Sequence, residues 1–179
     1  MAKITIPTSG AWSLITSYLN SNFSELFGLT GWGAYTDTQY TAGSPFSLAA
    51  NTDTVLPNNK GSIIETHKPL DVVTFYDGSV ITGRNGDGLS LTLELKATPA
   101  SGTNTYLDIW LDIGGGTAPV YPQTLPFNRG ITTYNLNVSY SAYTLSTWEA
   151  NGAIVKVRSN TNCTIHGIRY ILTRTSKAR

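Results

Sequence analysis

The chain has 179 residues, with 12 Lys+Arg against 11 Asp+Glu, one Cys and a single Met. Only 13% of residues are charged, about half the usual share, and polarity comes instead from 26 Thr, 16 Ser and 13 Asn. With 40% hydrophobic and 11% aromatic residues the chain is too apolar for a solvated coil, a net charge of +1 argues against a nucleic-acid binder running on bulk charge, and one Cys excludes an internal disulfide.

The start, Met-Ala-Lys-Ile-Thr-Ile-Pro, lacks the apolar run of a signal peptide, and no stretch approaches the ~18 apolar residues of a membrane helix. The expectation is a protein made in a cytoplasm and not inserted in a membrane. After Thr8-Ser9-Gly10, the residues Trp12, Ile15, Leu19, Phe23 and Leu26 follow at steps of three and four, which lays five large apolar side chains along one helical stripe. Thr8 or Ser9 caps this predicted helix, and Gly28 or Gly31 ends it. A helix of ~16 residues is not stable alone. It needs a surface: its own domain, copies of itself, or a larger partner. Residues 1–31 are therefore set apart as an anchoring and oligomerisation segment, and 32–179 as the main domain.

From Gly33 onward the period is two. Leu89, Leu91, Leu93 and Leu95 alternate with polar residues; so do Leu107, Ile109, Leu111 and Ile113, then Tyr134, Leu136, Val138 and Tyr140, then Val155 and Val157. Leu70 to Phe75 and Ile165 to Thr173 are apolar and less regular, as strands covered on both faces would be. Shorter strands are expected at Tyr35 to Tyr40, Phe46 to Leu48, Thr54 to Leu56 and Ser62 to Ile64. Turn signals such as Asn85-Gly86-Asp87-Gly88, Gly114-Gly115-Gly116 and Asn151-Gly152 separate them. Nothing between strands is long and helical enough for parallel crossovers. The fold class predicted is all-β, an antiparallel jelly-roll sandwich with a short N-terminal α-helix; an immunoglobulin-like sandwich is the second choice.

Candidate chemistry is sparse. Asp108, Trp110 and Asp112 share one face of a strand and form a candidate ligand-binding row, with the Trp as a stacking platform for a sugar; Trp148 and Tyr143 are further candidate platforms. The two carboxylates are ~13 Å apart on an extended strand, too far for an acid/base pair acting on one bond. Asp77-Gly78 and Asn85 to Gly88 lack the ligand spacing and closing Glu of a calcium loop. No Cys-x-x-Cys or Cys/His cluster offers a zinc site, so neither metal nor cofactor is expected. On one strand Cys163 and His166 would face opposite ways, which leaves no cysteine nucleophile. Lys156, Arg158, Arg169, Arg174, Lys177 and Arg179 hold half of all basic residues. They form either a docking stretch for an acidic surface or a solubilising end.

Leu19-Asn20-Ser21-Asn22-Phe23-Ser24-Glu25-Leu26 resembles the Leu-Asn-x-Asn-Phe-x-x-Leu phrase near the start of bacteriophage tail-fibre proteins. The segments Trp32 to Tyr40, Ser44-Pro45-Phe46, Leu56-Pro57-Asn58-Asn59 and Leu107 to Gly116 are similar to trimeric jelly rolls of the tumour necrosis factor-like type on phage fibres and spikes. The resemblance implies a non-enzymatic virion protein, a homotrimer in which the helix anchors and the jelly-roll knob is displayed as a head decoration, short fibre or tail-tip component. Its implied partners are other copies of itself, capsid or tail proteins, and a host surface glycan. A carbohydrate-binding module is the alternative; a glycan hydrolase and a secreted signalling ligand rank lower.

Overall fold

The computed structural model describes residues 29–116 and 118–178, together with Ile15, Thr16 and Leu19. Ten strands carry the domain: β1 (Gly31–Thr36), β2 (Phe46–Leu48), β3 (Thr54–Val55), β4 (Ser62–Ile64), β5 (Gly88–Pro99), β6 (Tyr106–Asp112), β7 (Val120–Pro126), β8 (Tyr134–Tyr143), β9 (Ile154–Ser159) and β10 (Cys163–Ser176). One short helix, α1 (Ser146–Asn151), precedes β9. The first sheet runs β4-β1-β10-β5-β8, with β2 also on β10, and the second runs β3-β9-β6-β7. Every pairing between strands is antiparallel.

The connectivity is nested. The hairpin β6–β7 is enclosed by the pair β5–β8, then by β3–β9, then by β1–β10, and successive shells alternate between the sheets. A long hairpin wound in this way is a jelly roll, which excludes the immunoglobulin-like alternative. Inward side chains of both sheets meet in one core, including Leu91, Leu93 and Leu95 of β5, Leu107, Ile109 and Leu111 of β6, and Val155 and Val157 of β9.

Strand β10 is the centre of the first sheet. It pairs with β5 from Cys163 to Ser176 on one side, and with β2 and then β1 on the other. Its inward residues are Cys163 and Ile165, then Ile168, Tyr170, Leu172 and Arg174. The phase shift falls at a bulge between His166 and Arg169, where Gly167 adopts φ +64°. This bulge, rather than burial on both faces, explains the irregular pattern of Ile165 to Thr173.

Other sequence expectations are corrected. The predicted strand Leu70 to Phe75 is a loop, with Leu70 and Val73 pointing into solvent. β-branched propensity loses there to Pro69 and to the ion pairs of Asp71 with buried Arg174. Strand β1 ends at Thr36 because the buried Asp37 carboxylate accepts from the Tyr40 and Asn59 amides, 2.6 and 2.9 Å, and turns the chain. Strand β7 escaped notice because Pro122 and Pro126 break its pattern; as a sheet edge it tolerates them. Of the stripe Trp12, Ile15, Leu19, Phe23 and Leu26, only Ile15 and Leu19 are described, and the helix expected there lies outside the described residues.

A Cβ on Gly167 would approach nothing closer than 3.9 Å, so Gly167→Ala is expected to cost only the left-handed backbone strain, about 1 kcal/mol. Deleting Gly167 removes the extra residue of the bulge and joins the two inward sets, Cys163 and Ile165 with Ile168 to Arg174, in one unbroken alternation, so cooperative unfolding should persist. Urea titration of both variants checks this.

Candidate functional site

The expected row Asp108, Trp110, Asp112 stands in the middle of the second sheet. Asp108 accepts from the Thr124 hydroxyl at 2.5 Å. Asp112 pairs with Lys156 at 2.6 Å and accepts from the Gly114 amide at 2.9 Å, and the Lys156 ammonium holds its carboxyl below the usual range. Trp110 lies between them but is only 7% exposed, with Lys156 directly opposite across the register. A Trp so covered presents no open ring face, which corrects the expectation of a stacking platform. Trp148 is also core: it is 3% exposed and donates to the Ile81 carbonyl at 3.0 Å. Of the three named aromatics only Tyr143 is exposed.

The other candidates resolve into structural bonds. Asp77 accepts from the amides of Ser79 and Val80, closing its own turn. Among the described residues no three His, Cys, Asp or Glu groups converge as a metal site would need. Cys163 faces the core while His166 faces out, and burial pushes its thiol up to about 11, away from the thiolate. The basic C-terminal stretch is neutralised: Lys156 meets Asp112, Arg158 meets Asp53, Arg169 meets Glu94, and Arg174 and Lys177 meet Asp71. Spacing could not show this, because all four partner carboxylates come from upstream strands and loops.

Two surfaces stand out. The first is the outer face of the β4-β1-β10-β5-β8 sheet. Register places Ile64, Ala34, Ile171, Thr92 and Ser139 in one row, and Trp32, Thr173, Ser90 and Ser141 in the next. Thr92 and Ser139 share a hydroxyl hydrogen bond of 3.2 Å, and the third row carries the ion pair Arg169–Glu94 at 3.6 Å. This face is apolar on the β1 side and hydroxyl or amide on the β8 side.

The second surface is the end of the sandwich where the chain enters and leaves. The inward phase of β10 drives Arg174 into the interior, where it is 2% exposed. A buried guanidinium needs all its donors engaged. Asp71 takes two of them at 2.7 and 3.1 Å, the Leu29 carbonyl accepts from Nε at 3.0 Å, and Asp87 lies at 3.5 Å. Lys177 reaches Asp71 at 3.1 Å, Arg84 reaches Asp87 at 3.2 Å, and the Ala178 amide donates to Asp87 at 2.7 Å. The cluster thus ties the entry to β1, the 65–75 loop, the approach to β5 and the exit from β10. Hydrogen bonds from Arg174 hold the Asp71 carboxyl well below the ordinary carboxylate range. Beside the cluster opens a cavity of about 380 Å³ lined by Val72, Val73, Phe75, Leu89, Thr82 and Thr144.

No family model matches the chain, and no curated protein matches it in sequence. Solved structures do match in shape. The PRD1 vertex protein P5 aligns with a TM-score of 0.50 and 11% identity over 83% of this chain and 73% of that one. The Eiger TNF from S. frugiperda aligns at 0.44 and 9% identity over 83% and 95%, and the native virion of Kashmir bee virus at 0.30 and 13% identity over 98% and 84%. At these identities the first shows a shared fold, which agrees with the jelly-roll connectivity, and the other two carry no argument.

Asp71→Asn leaves Arg174 short of its main partner. A fully buried pair broken from one side costs ~3–5 kcal/mol; because Asp71 is one-third exposed and Asp87 and Leu29 still accept, about 2 kcal/mol is expected here. A carboxylate with a depressed folded pKa stabilises in full above its unfolded value, near 3.9, and loses that stabilisation as pH falls further. The gap between wild type and Asp71→Asn in urea denaturation should therefore be widest at about pH 6 and narrow toward about pH 3.

Proposed function

We propose that the chain is a non-enzymatic structural protein of a virion, a homotrimeric jelly-roll knob displayed on the particle surface as a head decoration, short fibre or tail-tip component, where it aids attachment to a host surface. The observation that carries this reading is the fold shared with the PRD1 vertex protein P5 over 83% of the chain. Two further features support it. The carboxylates, the thiol and the basic residues that could have served catalysis are bound up in ion pairs, turns or core. The outer face of the first sheet, with Trp32, Ile64 and Ile171 on one side and hydroxyls on the other, suits packing between copies: its apolar part gains from burial and its hydroxyls hydrogen-bond without the desolvation cost of charges. The upper part of the apolar stripe, Trp12, Ile15 and Leu19, offers a second contact among copies. A carbohydrate-binding module loses support, since Trp110 and Trp148 are buried.

Light scattering of the purified full-length protein tests the reading. A mass of three chains at micromolar concentration is expected, and Leu19→Asp should weaken the trimer. A wild type that is monomeric at that concentration, with no change in the variant, overturns it.

A further inference from the structure

Leu70 and Val73 are 90% and 89% exposed. Large aliphatic side chains this open are usually scattered on mobile loops, but this loop is held in place. Asp71 is clamped by Arg174, the Lys68 ammonium donates to the Val72 carbonyl at 2.6 Å, the Trp32 amide donates to the His67 carbonyl at 3.0 Å, and the His67 and Trp32 rings stack at 5.1 Å. The loop therefore holds Val73 in the lining of the cavity beside Val72, Phe75 and Leu89, and carries exposed Leu70 three residues before it. Such a surface is what a docked segment requires, because little further ordering has to be supplied on binding.

The position names the occupant. Arg174 holds the Leu29 carbonyl on this same cluster, so residues 1–28 leave the domain at the edge of the groove. Leu26 is three residues away, at most about 10 Å of extended chain, and Phe23 is within ~9 Å if the intervening residues are helical. Both belong to the apolar stripe that cannot persist uncovered. Charge agrees as well: the cluster holds Arg84, Arg174 and Lys177 against Asp71 and Asp87, an excess of one positive charge, and Glu25 lies between Phe23 and Leu26. Arg84, about half exposed, faces this side. We infer that the groove lined by Val72, Val73 and Phe75, on the loop that also exposes Leu70, is the seat of this chain's own Phe23–Leu26 segment, so that the lower part of the stripe locks to the domain while Trp12, Ile15 and Leu19 stay available to other copies. Leu19, still 39% exposed, fits that division.

Hydrogen exchange on the full-length protein tests the seat, with light scattering run on the same samples. In the double variant Leu70→Asp/Val73→Asp, amides of residues 20–28 should exchange at least ~10-fold faster, while β5 and β10 keep their protection. In Leu26→Asp, the 66–73 loop should exchange faster. Unchanged exchange of residues 20–28 in the double variant overturns the inference. Protection that disappears on dilution also overturns it, by assigning the groove to a neighbouring copy. If the double variant loses β10 protection and so has unfolded, Val73→Ser is read by the same criteria. A monomer that keeps residues 20–28 protected removes the trimer and leaves the seat standing.

Discussion

Strand β10 must sit in the middle of a sheet whose other members were made long before it. It is the last of the described strands, yet β5 pairs along its length on one side while β1 and β2 share the other. Its inward residues close the core, and its end delivers Arg174 to the Leu29 carbonyl at the entry to β1. None of the first sheet's outer rows exists until this strand is in place. The fold is accordingly dominated by contacts distant in sequence, which predisposes it to slow formation once the whole chain is available.

The low charge count has a structural counterpart. Many of the few charges are paired across the fold: Arg174 and Asp71 at the entry to β1, Lys156 and Asp112 across the second sheet, Arg169 and Glu94 across the first. Hydroxyls and amides do the remaining polar work. Tyr170, Tyr76 and Tyr140 reach from the core to the carbonyls of Leu56, Asn58 and Ile109, at 3.0, 2.9 and 3.1 Å. Among the described residues no fully buried side-chain polar atom lacks a partner. The outer face of the first sheet that results is hydroxyl and amide toward β8 and apolar toward β1, with the Arg169–Glu94 pair between them.

Much of the architecture was legible because period-2 alternation is a direct image of a two-faced sheet. Leu89 to Leu95 and Leu107 to Leu111 fall where alternation puts them, and β2 and β4 match to the residue. What escaped was anything decided by a distant partner. Alternation showed that Trp110 turns away from the core but could not show that it would be covered. Trp148 carried no signal, since α1 is too short to show a period. The basic C-terminal stretch looked like a patch because its carboxylates are supplied from Asp53, Asp71, Glu94 and Asp112. The loop around Asp71 looked like a strand for the same reason: a bond to Arg174, 103 residues away, overrides local propensity.

On the proposed reading the two surfaces divide the labour of assembly: the sheet face is the one offered to other copies, and the entry cluster is the one offered to the N-terminal segment. The most direct test is a crystal structure of the full-length protein at the concentration where it is assembled. The account predicts three chains about a common axis with Trp32, Ile64 and Ile171 buried between them. An assembly in which that face is open to solvent, or a chain that stands alone, would contradict it.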